Sequence, residues 1–511
     1  MKRQNIILFY LVALLLHGGC QAPENPDWQH LDPQKDGVLG ISTTRTYHEL
    51  LKNRQPTAVI VAVLDGGTDT GHDDLMAVRW INEKEIPGNG LDDDGNGYID
   101  DRYGWNFVGV PDSSLKFDNT ALTRLVRQGK KRFGQLTAQT VPIRDRASFD
   151  AYQVQLTAFE KARRKAREQL EQLQQLKTCL DKMVQQLGKT APTLQDFRDF
   201  LPHNDQENQV RSLANAKMKR KTYAEFYQED ILERLQQLQQ QLAYHYNLEF
   251  VPHGAIDSTD NSTALWTGNP DVKGPDAMHG THVAGIIGAS RDNAAGIQGI
   301  AGHVRLMPVR CIPNGDERDE DVARAIRYAV DNGAKVINMS FGKYYTSNKS
   351  LVDDAVRYAM AHDVLLIHAA GNDGCDLDKQ PHYPNPFYSD GDKAAAWITV
   401  GASDQTDDET LKAPFSNYGL TQVDVFAPGV RIRSTVPDGG YKRLDGTSMA
   451  APVVAGLAAT IRSYYPALTA RQVREIILKS AVKYQGLTGR CVTGGIVNAY
   501  TAIQLAEQYK R

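Results

Sequence analysis

The sequence predicts an α/β fold, a parallel sheet with helices on both faces, carrying an inserted α-helical hairpin. Three observations predict it. Thr57 to Leu64 is a continuous apolar, β-branched run of the kind found in a strand buried on both faces. From His279 onward, apolar runs at Val304 to Val309, Lys335 to Met339, Val364 to His368, Trp397 to Val400 and Val423 to Phe426 alternate with helical patterns over Asp319 to Asn332, Leu351 to Ala361 and Ser448 to Tyr464. Strands and helices in alternation give a parallel sheet covered on both sides. Between these regions, from position 111 to 270, the composition shifts to Gln, Lys, Arg and Leu and the apolar spacing becomes helical.

The chain opens on Met1-Lys2-Arg3, an apolar run from Ile6 to Leu16, and then His17-Gly18-Gly19-Cys20. A basic start, a short apolar core and small residues make an export signal, too short to span a membrane as a stable helix. A cysteine directly after two glycines resembles the processing site of bacterial lipoproteins, although His17 stands where leucine is usual. Cys20 is therefore expected to be lipidated, placing the protein in the cell envelope with a membrane as partner; simple secretion is the alternative. Hydrophobic content of 41% and charged content of 23% are ordinary for a globular protein, and a net charge of −3 singles out no partner.

Residues 21 to 45 contain Pro23, Pro26, Pro33 and Gly37 among few apolar residues, the pattern of a tether or extended arm. Thr46 to Asn53 is expected to form a short helix before the first strand. That strand ends at Asp65-Gly66-Gly67, and the carboxyl end of a central strand is where open α/β sheets place their chemistry. Asp92, Asp94, Asn96 and Asp100 then follow the spacing of the front half of an EF-hand loop, with Gly97 at the sixth position and Tyr103 where a glutamate would close it. Structural calcium is the cofactor implied, since so many carboxylates would repel one another without a cation. A solvated acidic turn is the plainer alternative.

Within the insertion, Phe149, Tyr152, Leu156 and Phe159 recur at helical spacing, as do Leu173, Leu176, Leu180, Met183 and Leu187. After Pro192 and Pro202, Tyr227, Ile231, Leu235, Leu238 and Leu242 do the same. Two long amphipathic helices in an antiparallel hairpin follow, with a short third over Thr193 to Leu201. The basic clusters Lys161 to Lys165 and Lys217 to Lys221 lack an aromatic stacking platform, so they are taken as solvated helix faces and no nucleic-acid partner is expected.

The chemistry centres on Asp445 to Gly456, where Ser448 stands as a glycine-led turn gives way to an apolar helix. Backbone amides without intrahelical partners, and the helix dipole, favour an oxyanion there. Pro452 is placed in or just after the first turn, where a missing N–H costs few hydrogen bonds. An ordinary helix cap is the plain alternative. What tips the balance is His279, which opens a small-residue helix, together with Asp65: a nucleophile, a base and an orienting acid work in any sequence order if the geometry closes. His282, His303, His362 and His368 are taken as structural. Cys179, Cys311, Cys375 and Cys491 are expected as free buried thiols, with three disulfide pairings the alternative, and no Cys/His metal spacing is present.

These blocks resemble the subtilisin (subtilase) family of serine endopeptidases. The matching stretches are Ala62 to Asp69, His279 to Gly285, Val336 to Gly342, Ala369 to Asn372 and Gly446 to Gly456. The resemblance implies a subtilisin-like sheet, a protein or peptide substrate, Ser448 as nucleophile, His279 as general base, Asp65 as the residue holding the imidazole and Asn372 as oxyanion donor. It also implies that Ser340, Phe341, Gly342, Ala369, Ala370 and Gly371 line the substrate cleft. Two departures stand out. Gly66 replaces the usual hydroxyl residue after the aspartate, which could lower activity, and Lys343 follows Gly342 where a second glycine is common. Relatives often carry a whole folded prosegment, for which Gln21 to Leu64 is expected to leave no room. Asp65 and His279 lie 214 positions apart, far more than in relatives. The expected organisation is a signal over 1–20, two parts of the catalytic domain over 21–110 and 273–511, and the helical insertion over 111–272, expected to flank or cap the cleft. A cell-envelope scaffold on a degraded protease core is the alternative function, and the oligomeric state is left open.

Overall fold

The computed structural model describes residues 27–111, 113–252, 268–291 and 296–509. They form two compact units, one spanning Thr123–Phe250 and the other holding the remainder. The expected signal and Cys20 lie outside the described residues.

The larger unit is built on a nine-stranded sheet. In chain order its strands are β1 (Val59–Asp65), β2 (Trp105–Asn106), β3 (Val304–Arg310), β4 (Val336–Met339), β5 (Leu365–Ala369), β6 (Trp397–Ser403), β7 (Val425–Pro428), β8 (Val482–Lys483) and β9 (Gly495–Ile496). They lie side by side as β8-β9-β7-β6-β5-β4-β1-β3-β2, parallel throughout except for the β8-β9 pair. Side chains on a strand alternate between faces, and here both faces are covered. Val61 and Val63 join one core cluster with the helices Met278–Gly288 and Thr447–Tyr464. Ala62 and Leu64 join the other with the helices Asp319–Asp331 and Lys349–Ala361. That is why β1 reads as an unbroken apolar run.

One expectation for this unit is corrected, and two elements were not anticipated. The supposed arm is embedded from Trp28 onward: Trp28, Leu39 and Ile41 are buried, and the Trp28 indole donates to the Val430 carbonyl at 3.0 Å. Its apolar residues are few, but they sit in the core, which average composition hides. The tail after Ser480 contains a further helix, Ala499–Tyr509, that buries Ala499, Ala502, Ile503 and Ala506 at helical spacing. An antiparallel hairpin, Ile432–Val436 with Gly440–Leu444, went unanticipated because Arg433, Lys442 and Arg443 break up its apolar signal.

The smaller unit is more segmented than a two-helix hairpin. A 42-residue helix, Arg146–Leu187, is followed by the short Leu194–Asp199, by Asp205–Lys217, and by a return from Tyr223 to His245 that mixes α and π turns. The return is antiparallel to the long helix: the Tyr227 hydroxyl donates to Asp181 at 2.8 Å, and Phe159 meets Tyr246 at 6.4 Å between ring centroids. Asp205–Lys217 buries only Val210 and Ala214, too little for its period to show in the sequence.

An embedded arm makes a testable statement about stability. Trp28→Ala should cost about 3–5 kcal/mol, the range for a large aromatic removed from a core, measured by denaturant unfolding. A loose tether would give almost no change.

Candidate active site

Asp65 ends β1 with its carboxylate almost fully buried, 4% exposed. The Gly66 N–H donates to Oδ1 at 2.7 Å, and the His279 ring meets both oxygens through Nδ1, at 2.8 and 3.0 Å. The Gly66 loop is set from outside the strand. Arg310, directly opposite Asp65 in the β1-β3 register, donates through Nε to the Gly66 carbonyl at 2.8 Å and through Nη1 to Asn106 Oδ1 and the Val108 carbonyl. Thr68 N–H bonds the Val272 carbonyl, and Lys273 Nζ bonds Asp69 at 2.9 Å. Burial drives the Arg310 pKa down to about 10, so the guanidinium stays charged at neutral pH. Sequence reading did not single out this arginine, since only the register places it beside the acid.

His279 lies in the first turn of the helix Met278–Gly288. Burial lowers its pKa, but the Asp65 charge and hydrogen bond, with Asp276 adding to them, outweigh that and leave it raised above 6.5. The side chain is 41% exposed, which weakens the burial effect and keeps the net direction upward. His282, one turn on, is fully buried and bonded through Nε2 to the Lys442 carbonyl at 3.0 Å.

Ser448 follows Gly446 and Thr447 at the start of Thr447–Tyr464, so its N–H has no acceptor within the helix. Its Oγ donates to the Ser340 carbonyl at 3.1 Å, and Ser340 Oγ donates to the Ser448 carbonyl at 3.0 Å. The second bond closes the one gap that Pro452 leaves, just after the first turn. The proline sits in the second turn, where its N–H would have bonded the Ser448 carbonyl, and Ser340 fills the vacancy. In this rotamer Ser448 Oγ is not bonded to His279.

Asn372 is oriented by Thr447, whose N–H and hydroxyl donate to Asn372 Oδ1 at 2.8 and 3.0 Å. The Thr447 hydroxyl also accepts from the Gly371 N–H at 3.0 Å. With its oxygen occupied, Asn372 has its amide N–H groups left to donate. Of the expected cleft segments, Ser340, Ala369 and Ala370 are buried, while Phe341, Gly342 and Gly371 are half-buried. Lys343 turns its side chain inward. It is 4% exposed, its Nζ donates to the Glu317 carbonyl and pairs with Asp319, each at 2.7 Å, and its backbone exchanges two hydrogen bonds with Tyr383.

The acidic loop gathers a different set from the one its spacing suggested. Ligand atoms of Glu85, Asp92 and Asp94 lie within 4.8 Å of one another. Glu85 is 1% exposed and its Oε2 is buried without a hydrogen-bond partner, while Oε1 accepts from the Asp93 and Asp94 N–H groups. Burial raises the Glu85 pKa. Asp100 is outside this group: its carboxylate accepts from the N–H groups of Gly88, Asn89 and Gly90. The Asn96 amide oxygen accepts from Tyr98 N–H. The donor set fits a hard divalent cation. Cys179, Cys311, Cys375 and Cys491 are free, and all but the half-buried Cys375 are buried as expected.

The model of the subtilase family matches residues 57–494. The thermophilic serine proteinase of Bacillus sp. (strain AK1) is 42% identical over 227 residues, 44% of this chain and 52% of that one, so the chain spans about half the length of that relative. Thermitase of Thermoactinomyces vulgaris is 40% identical over 252 residues, 49% of this chain and 81% of that one. Subtilisin DY of Bacillus licheniformis is 38% identical over 205 residues, covering 40% and 70%.

The Ser340–Ser448 exchange generates a cycle of variants. Ser340→Ala should destabilise by about 1–3 kcal/mol, the cost of a stranded buried acceptor. Pro452→Ala, which restores an N–H aimed at the same carbonyl, should cost less in the Ser340→Ala background than in the wild type. Additive effects on denaturant unfolding would refute the compensation.

Proposed function

The chain belongs to the subtilase family, and from that premise we propose that it is a serine endopeptidase acting through Asp65, His279 and Ser448. Ser448 Oγ leaves the Ser340 carbonyl for His279 Nε2, gives up its proton there and attacks the peptide carbonyl to form an acyl-enzyme. His279 then protonates the leaving amine and later activates water. Asp65 fixes the tautomer with Nδ1 protonated and stabilises the imidazolium. The oxyanion is met by the Ser448 N–H and the Asn372 amide; one such side-chain donor is worth about 2.7–4 kcal/mol in subtilisin. The observation that most supports this reading is the pairing of His279 Nδ1 with both Asp65 oxygens, which leaves Nε2 for the nucleophile.

The substrate class is protein or peptide. Among the described residues no helix is long and apolar enough to cross a membrane. Export, with a lipid anchor at Cys20, is proposed from the sequence of residues 1–20. Calcium is proposed at Glu85, Asp92 and Asp94, where it would neutralise converging carboxylates and give Glu85 Oε2 a partner. Asp100 holds the adjoining turn instead.

A serine-reactive fluorophosphonate should label the folded protein at Ser448, and Ser448→Ala should abolish labelling; an unlabelled, folded wild type sinks the assignment. The base must be neutral to act. A raised His279 pKa therefore means that kcat/KM falls as pH drops through a midpoint above 6.5. Asp65→Asn should lower kcat about 10⁴-fold, as the wrong tautomer does in a triad. Calcium at a hundredfold excess over Kd should stabilise the wild type by about 2.7 kcal/mol, read as a rise in melting temperature that Glu85→Gln strongly reduces. An equal rise in both proteins would remove Glu85 from the site.

A further inference from the structure

Two segments run on from neighbouring strands beside Ser448. β4 and β5 pair in register, Asn338 with Ile367 and Met339 with His368, and continue as Ser340-Phe341-Gly342 and Ala370-Gly371-Asn372. Ser340 ties the first segment to Ser448, and Thr447 ties the second. Both border one imidazole, that of His382: Gly342 lies directly against the ring, and Gly371 lies beside it with the Asn417 amide nearer still. A Cβ on Gly342 would stand 2.2 Å from ring Cε1, and one on Gly371 would stand 3.2 Å from Nε2. A side chain at Gly342 is therefore excluded by the ring itself.

Packing holds the ring there. Tyr344 meets it edge-on at 5.1 Å and His368 at 5.5 Å between centroids, and the next residue, Tyr383, is pinned to Lys343 by two backbone hydrogen bonds. His382 is 8% exposed and its Nδ1 is buried without a partner. Burial drives its pKa down to about 4, against a weaker upward pull from Asp373, so the ring is uncharged at neutral pH and offers no cation to an acidic side chain.

We infer that the His382 ring floors the subsite beside Ser448, so that the residue whose carbonyl is attacked must carry a short side chain, that of Gly, Ala or Ser. This rests on Ser448 as the nucleophile. A side chain entering between the two segments meets the ring where a deeper slot would have to lie, and an aromatic ring or a long aliphatic chain finds no room.

The test uses peptides identical except for Ala, Ser, Leu or Phe at the residue supplying the attacked carbonyl. The wild type should cleave the Ala and Ser peptides with kcat/KM at least about tenfold above the Leu and Phe peptides, the scale of discrimination a filled apolar pocket gives. His382→Gly should raise the Phe-to-Ala ratio at least about tenfold. His382→Ala is the second variant should the first fail to fold, and each ratio is taken within one protein, so a slower variant still reports. Wild-type cleavage of the Phe peptide as fast as the Ala peptide overturns the inference, as does an unchanged ratio in a folded variant. Fluorophosphonate labelling separates the two levels: a wild type that labels at Ser448 yet prefers Phe loses only the subsite, and one that does not label loses the nucleophile as well.

Discussion

A carboxylate buried at the end of a strand that is itself covered on both faces must be paired, because an isolated charge there would cost several kcal/mol. Asp65 is that carboxylate, and much of the larger unit near the site serves its pairing. The Gly66 N–H and the His279 ring occupy its oxygens. Arg310 fixes the Gly66 carbonyl, and Val272 and Lys273 clamp Thr68 and Asp69. Residues far apart in the chain thus converge on one side chain, and the imidazole's orientation follows from that convergence rather than from its own helix.

The nucleophile depends on a second constraint. A helix start offers unpaired N–H groups, but it also needs the helix to be held where it begins. Pro452 removes one rung of the helix ladder and so releases the Ser448 carbonyl, which Ser340 takes up from the end of β4. The proline that seemed harmless in the sequence therefore couples the serine helix to the sheet. Thr447 does the same toward β5 by engaging Gly371 and Asn372 together. Ser448 is held between two adjacent strand ends, each through side-chain hydrogen bonds that no periodicity would reveal.

This division explains what the sequence could say. The strands from β1 to β7 that read as apolar runs were legible because burial on both faces leaves little polar alternation, and the placement of Asp65 at a strand end and of His279 and Ser448 at helix starts was legible from local turn and helix chemistry. The embedded arm was not, since Trp28 finds its partner at Val430, 402 positions away. The approach of Glu85 to Asp92 and Asp94 was not legible because Glu85 lies ahead of the acidic repeat and meets it only when the loop folds back. Asp100 fitted the repeat by spacing, but its φ of 56° turns the chain, and its carboxylate caps the Gly88 to Gly90 amides. His382 carried no signal at all until Gly342 and Gly371 were brought against it.

The two departures from the family pattern bear on whether the core has decayed into a scaffold. Gly66 lacks a hydroxyl, yet its own N–H bonds Asp65 Oδ1 at 2.7 Å while His279 meets both oxygens, so the carboxylate does not depend on the missing group. Nor is the Lys343 side chain displayed at the surface. Buried between Glu317 and Asp319, it braces the segment that carries Ser340 and Gly342 against the start of the helix Asp319–Asp331. Breaking one partner of such a buried set would strand a charge at a cost of about 3–5 kcal/mol, so the lysine is held in place by its surroundings. A decaying site would be expected to lose the partners that serve only its chemistry, and here each replacement comes with a partner of its own.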